Sequence, residues 1–443
     1  MAYTYYYCRK LTGNPACGPK VINMSNTYCS CWNLTGEPVC SNNVKNMAYT
    51  YSYCYNLTGS PTCGPKVINL TWTYDSCQNL TGFPVCGPNV INMCGTYYYC
   101  NNLTGNPVCG NNVIDMTSTY YNCHNLTGNS VCGPNVTTMG YTYSGCQNIT
   151  GSPVCGNNVT NMAFAYYNCR SLTNSPVCGE NVINMIGTYS HCSRLSGNPV
   201  CGDKVINMYS TYSDCYHFKN SPICGNNVID MSWTYRNCYN LTGNPVCGPS
   251  VTDMYGTYEN CRNLTGNPIC GNNVINISST YHNCYNLTGS PVCGSNVTDM
   301  SRAYRNCVNL IGNPICGNNV TDMAFAYDSC YNLTGITACG PNVTNMWGTY
   351  ENCYNLSEGR HYWYSPFVKN VSYCFYGKNY QKPYYIYIYE NSDTLNTFLA
   401  LNNKYELTGY RITWAYNNIG NYYYNTRVNI YIYPVPDVAA AKA

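Results

Sequence analysis

The chain has 443 residues, of which 9% are Asp, Glu, Lys or Arg, against about 25% in an ordinary globular domain. It carries 34 Cys, 51 Tyr and, by count, 67 Asn. A net charge of +3 without blocks of like sign excludes an electrostatic footprint for nucleic acid, no run of 18 apolar residues is present to form a transmembrane helix, and 45% hydrophobic content with little charge excludes disorder.

The chain repeats from its first residue. Cysteine recurs every 23 residues from Cys8 and Cys31 to Cys353, which makes sixteen repeats without insertion or deletion. A second cysteine follows nine residues later in fifteen of them, from Cys17 to Cys339; Cys29, Cys94 and Cys374 are extra. Tyrosine stands three before the first cysteine in all sixteen (Tyr5 through Tyr350). Leucine stands three after it, replaced only by Ile149 and Phe218. Valine fills fifteen slots from Val21 to Val343. All fourteen methionines occupy one column, interrupted only by Leu70 and Ile277. Such a period with fixed apolar columns predicts a solenoid whose coils stack Leu on Leu, Val on Val and Tyr on Tyr.

Within a repeat, Leu-Thr-Gly-x-Pro-Val-Cys reads as extended chain and the following Cys-Gly-Pro-Asn or Cys-Gly-Asn-Asn as a turn. From Val through Met to Tyr and Cys the apolar spacings are three, four and three, as in a short helix or an irregular arc. Proline occupies the extended stretch in thirteen of fifteen repeats, with Ser130 and Thr337 as the exceptions. Because proline removes a ladder donor, a parallel sheet there is expected to be short or shifted to flank it.

The run Asn319-Val-Thr-Asp-Met-Ala-Phe-Ala-Tyr-Asp-Ser-Cys-Tyr-Asn-Leu-Thr-Gly335 resembles the BspA-like leucine-rich repeats of bacterial surface proteins, nearest the mycoplasma-type variant. Tyrosine stands where that family's repeat has Phe in Phe-x-x-Cys-x-x-Leu. The resemblance covers about residues 1–356. It implies a leucine-rich-repeat solenoid, wound as a right-handed coil, with a surface or adhesion role.

After Leu356 the repeat stops. Residues 357–443 hold 8 Lys/Arg and 5 Asp/Glu, so they carry the whole net charge. β-rich runs at Tyr384–Tyr389, Tyr410–Tyr416 and Arg427–Tyr433, with a possible short helix at Asp393–Leu401, predict a small Tyr-rich β domain acting as cap, anchor or oligomerisation module. As a class, such a module after such repeats resembles those of phage-encoded repeat proteins. Met1 falls in phase in the methionine column with no signal peptide before it, which fits export without one, a processed fragment, or a viral product released by lysis.

Chemistry-bearing residues are sparse. The cysteine spacings of 9 and 14 lack the close pairs of zinc sites, so both columns read as buried ladders of small apolar side chains. Nine sequons (Asn33, Asn56, Asn79, Asn102, Asn125, Asn240, Asn263, Asn286 and Asn332) are possible glycan acceptors, or simply what a repeat built from Asn, Leu and Thr generates. The column before Met includes Asp115, Asp230, Asp253, Asp299 and Asp322, too sparse for a calcium ladder. His124, His191, His217, His282 and His361 sit in different repeat contexts, and no nucleophile, base and acid arrangement is assignable. No catalytic residue, metal or cofactor is expected.

What remains is a set of variable aromatic positions. The residue after the first cysteine includes Trp32, Tyr55, Tyr216, Tyr239, Tyr285, Tyr331 and Tyr354; Trp72, Trp233 and Trp347 stand two or three before the repeat tyrosine. Exposed Tyr and Trp favour carbohydrate and protein contacts, although the same residues serve as a second packing layer. The sequence therefore predicts a non-enzymatic, extracellular recognition or adhesion protein on a virion or cell surface, plausibly a phage fibre or decoration that binds a host protein or glycan. A homo-oligomer through the C-terminal domain is the other expected partner. A passive spacer or filament-forming subunit is the alternative.

Overall fold

A computed structural model describes residues 1–356 and 360–375, and beyond them backbone at 384–389, 396–397, 400, 424–425 and 428–435. The chain forms two compact units, Met1–Lys219 and Asn220–Ala443. Among the described residues to Phe375, each unit is a solenoid of stacked coils. The repeat Val, Met, Tyr, first Cys and Leu columns are almost wholly excluded from water from Met24 onward. At roughly 1.5–3 kcal/mol for each large side chain removed from water, these columns are the main driving force.

The arc through Met, Tyr and Cys is not helical. It is a chain of β-turns. In the coil of Met47, the Thr50 N–H donates to the Met47 carbonyl, Cys54 to Tyr51 and Leu57 to Cys54, at 3.0–3.2 Å. The third residues of the first two turns, Tyr49 and Tyr53, have φ of 56° and 61°. A positive φ at that place is what a type II turn requires. The N–H groups of Met47, Tyr49, Tyr51 and Tyr53 then all point at the next coil, donating to the carbonyls of Asn69, Thr71, Thr73 and Asp75 at 2.8–3.0 Å. A spacing of three thus marks successive turn corners. A helix would have closed its hydrogen bonds internally and left nothing to join the coils.

The proline stretch forms no strand in the proline-bearing coils. Tyrosine takes over there. In the coil of Tyr120, the Val108 N–H donates to the tyrosine hydroxyl at 2.9 Å and the hydroxyl donates to the Val108 carbonyl at 2.7 Å. The same two-way clasp recurs from Tyr28 with Ala16 to Tyr304 with Val292. It is the physical reason for tyrosine rather than phenylalanine in this column. The rings stack coil on coil, with centroids 5.4–5.7 Å apart along Tyr28–Tyr212 and again along Tyr235–Tyr350.

A strand appears where proline is missing from two successive coils. Strand β1 (Thr337–Cys339) pairs in parallel with β2 (Arg360–Trp363), placing Thr337 opposite His361. β3 (Tyr384–Tyr389), β4 (Tyr424–Asn425) and β5 (Val428–Val435) extend this sheet in the order β1-β2-β3-β5-β4, parallel except for β4. The clasp loosens in step: the Tyr350 hydroxyl reaches the Ala338 carbonyl only at 3.5 Å. Ser130, flanked by prolines on both sides, keeps the clasp and forms no strand.

The coil ladder also runs on past Leu356. Asn370 bridges Asn345 in the Asn/Asp column, Tyr373 takes the positive φ of 56°, and the Phe375 ring stacks 5.8 Å from Tyr350. The expected run at Tyr410–Tyr416 lies outside the described residues. Of Asp393–Leu401, helical backbone is described at 396–397 and 400.

Candidate ligand-contact surface

The turn geometry decides which side chains face outward. The positive-φ residue after Met and the residue after the repeat tyrosine both lie on the turns; in the first unit large aromatics in these slots reach the surface, whereas small residues such as Ser52 and Ser144 are buried. Trp72 meets Tyr98 edge-on at 5.1 Å, and Tyr98 stacks on Tyr121 at 4.6 Å. Tyr121 reaches Tyr141 at 6.3 Å, Tyr141 stacks on Phe164 at 4.9 Å, and Phe164 meets Tyr167 at 5.9 Å. These six rings form one continuous surface cluster; Tyr141 is 40% exposed and the others are half-buried. Of the six, only Trp72 was foreseen from the sequence. The missed signal was aromatic residues recurring in neighbouring repeats at two different slots.

The slot after the first cysteine forms a separate row. In the first unit the Arg9 guanidinium lies 4.1 Å above the Trp32 ring, and Trp32 meets Tyr55 at 6.1 Å. Tyr216 is half-buried and donates to the Asp214 carboxylate at 3.1 Å. In the second unit Arg262 lies between Tyr239 and Tyr285, 4.9 and 5.9 Å from their centroids, and Tyr331 stacks on Tyr354 at 5.2 Å. Trp32, Tyr331, Trp347 and Tyr354 are exposed, whereas Tyr55, Tyr239 and Tyr285 are half-buried.

Trp72 and Trp233 also have a packing role. Each ring lies over the glycine one coil later, Gly95 and Gly256, with ring atoms 2.4–2.5 Å from where a Cβ would stand. Phe164 over Gly187 and Phe325 over Gly348 repeat the arrangement. All four glycines in this positive-φ slot follow an aromatic in the preceding repeat, a covariation legible within this one sequence.

The second unit carries charge in the slot after the repeat tyrosine. Arg236 donates to Glu259 at 2.8 Å, His282 lies 3.4 Å from the same carboxylate, and Arg305 donates to Asp328 at 2.8 Å. The His282 imidazole, with the Arg236 guanidinium beside it, holds Glu259 below the usual carboxylate range.

The remaining polar columns are structural. Asp115, Asp230, Asp253, Asp299 and Asp322 each accept the backbone N–H two residues on at 2.8 Å, closing an Asx turn that Asn serves equally well. The sequon asparagines are exposed, Asn240 half-buried, and they line up in one column: the Nδ2 of Asn79 donates to Asn56, Asn125 to Asn102, and Asn286 to Asn263 at 3.4–3.5 Å. Among the described residues no cluster of three His, Cys, Asp or Glu side chains could hold a metal ion.

The two cysteine columns differ. From Cys31 on the first is buried, and its thiols donate to the carbonyl of the preceding coil's tyrosine, as from Cys77 to Tyr51 at 3.1 Å and from Cys123 to Tyr97 at 2.9 Å. Burial pushes these thiols well above their ordinary range. The second column was expected to be buried but is only half-buried through Cys316, its sulfur packed against the glycine of the next coil. Burial still raises Cys63 to about 12.

No protein-family model matches the chain, and no curated protein does. Among solved structures, a leucine-rich repeat protein from Bacteroides ovatus aligns at 12% identity and a TM-score of 0.41, covering 80% of this chain and 88% of that one. At that score the likeness carries no argument about fold or function. No described helix is long and apolar enough to cross a membrane.

Proposed function

We propose that the protein is a non-enzymatic recognition or adhesion protein of the BspA-like leucine-rich-repeat type, displayed outside a cell or on a virion, with residues 357–443 as cap or anchor. The observation that carries this reading is the continuous aromatic cluster from Trp72 to Tyr167. A rigid, coil-wide patch of Tyr, Trp and Phe presents large contact area at low conformational cost, the composition of interface hot spots. The partner is a cell-surface protein or glycan. The exposed Trp32, Tyr331, Trp347 and Tyr354 are further contact points of the same kind.

The test is binding of the purified chain to glycan arrays and to candidate host surfaces, with Tyr98→Ala/Tyr121→Ala beside the parent. Binding lost in the double variant, with folding retained, supports the reading. No binding to any surface, or binding that ignores the cluster, overturns it. A passive spacer or filament subunit is the second reading, favoured by the indel-free stacking. It predicts ordered assemblies by electron microscopy without any ligand.

A further inference from the structure

A second surface of the first unit is not accounted for by recognition through the aromatic cluster. The residue two before each methionine is exposed and almost always β-branched: Ile22, Ile68, Ile91, Ile114, Ile183 and Ile206 are 41–58% exposed, and Thr137 and Thr160 share the row. The row is straight because its backbone forms a parallel ladder, with Ile91 N–H to Ile68 carbonyl at 2.9 Å and Ile114 to Ile91 at 2.8 Å. Beside it runs a rank of asparagines whose amides are turned back onto the preceding coil, as from Asn89 to Pro65 at 2.8 Å and Asn112 to Pro88 at 2.9 Å. Between ridge and rank lies an open trough of about 650 Å³, bounded by Lys45 and Lys66 at one end and Thr137 at the other.

We propose that this face pairs with the same face of a second copy of the chain, antiparallel about a two-fold axis near Ile114. Three observations select that occupant. The face offers both a ridge and a trough of matching apolar character, so two copies interlock without any new shape. Two lysines near one end and two acids near the other are placed for the reverse order, while Lys66 donates to Asn43 within its own chain. Counting coils from Val21, Lys20 and Lys45 lie in the first and second, and Glu180 and Asp203 in the eighth and ninth, all exposed. About the fifth coil, that of Ile114, the two-fold sets Lys20 against Asp203 of the other copy and Lys45 against its Glu180. The one cation at the acidic end, Lys204, is held by Asn181 at 2.6 Å. Third, nine coils at about 4.8 Å each give a contact roughly 40 Å long, which at about 10 Å width covers on the order of 400 Å² per copy. That is the size of a weak, reversible pair.

The experiment is sedimentation of the full chain over a concentration series, with circular dichroism confirming that each variant stays folded. The parent is expected to pass from monomer to dimer, and Ile114→Asp to weaken that at least tenfold. Lys45→Glu and Glu180→Lys each place like charges at the pair and weaken self-association similarly. Mixed one to one, the two variants set opposite charges at both contacts and regain a dimer. A parent that stays monomeric, a dimer indifferent to Ile114→Asp, or a mixture no better than its parts overturns the proposal. Because none of these residues belongs to the aromatic cluster, ligand binding and dimer formation fail or succeed independently.

Discussion

The repeat tyrosine does two jobs through different atoms. Its ring stacks in the core, and its hydroxyl satisfies both the N–H and the carbonyl of the residue after proline. Val108 has no backbone partner among the described residues for either group. Tyr120→Phe therefore leaves two part-buried polar groups unpaired and is expected to destabilise by about 1 to 3 kcal/mol in denaturant unfolding. Tyr350→Phe, whose hydroxyl contacts are 3.4 and 3.5 Å, should cost visibly less. Equal costs would refute the clasp. Gly256 offers a second test. It has φ of +57° and the Trp233 ring where its Cβ would be. Gly256→Ala should cost more than the roughly 1–2 kcal/mol of a left-handed alanine, and Trp233→Ala should bring the cost of that substitution back into this range. A thermodynamic cycle of the two variants reads the coupling directly.

At the scale of elements, proline decides between two ways of satisfying the same backbone. Where it is present, from Pro15 to Pro291, the tyrosine hydroxyl closes the stretch within its own coil; after Pro314, next to the sheet, Ile315 already bridges across to Ala338. Where Thr337 and His361 replace it in adjacent coils, the backbone pairs across coils and a sheet begins. Thr337→Pro is expected to break the β1–β2 pairing and raise hydrogen exchange at residues 360–363, with exchange unchanged in coils near Tyr120. Mass spectrometry of exchanged peptides checks this, and protection that survives in β2 would show that β1 is not what holds it. The turn segments follow a parallel rule. None of their thirty-two positive-φ slots from Tyr3 to Asn352 holds Val, Ile or Thr. Branching at Cβ is least tolerated in the left-handed region.

Within each unit the described coils are a stack of buried acids kept neutral. Thiols with an ordinary pKa of 9.0 are raised by burial to about 11 at Cys31 and about 12 at Cys63, Cys109 and Cys155. Above pH 9 the unfolded chain releases these protons while the folded chain retains them. The unfolded state then binds fewer protons, so stability falls as pH rises. It is complete below pH 9 and is lost between about pH 9 and 12. One pH unit costs about 1.4 kcal/mol for each thiol held protonated, so several thiols outweigh a typical stability of about 5–15 kcal/mol. A cooperative alkaline transition in that window, followed by circular dichroism, is expected, together with slow alkylation at pH 8 of the buried first column from Cys31 onward. Rapid alkylation of the first cysteine column in the folded protein would refute the buried ladder.

The sequence by itself determined the coil length, the number of 23-residue repeats, the apolar columns and the interruption of the sheet by proline, because each is a periodic demand repeated in thirteen to sixteen coils. It also held the aromatic–glycine pairs and the avoidance of β-branched residues at two slots, although neither is visible without knowing which slots touch. Tertiary structure alone decided the rest. Spacings of three, four and three fit a helix and a chain of turns alike; only the coil-to-coil hydrogen bonds choose the turns. The aromatic cluster joins residues from different slots of neighbouring coils, so it exists only once the coils are stacked. The exposed isoleucine row reads as core by composition, and it is the direction of its side chains on the ladder that puts it in water.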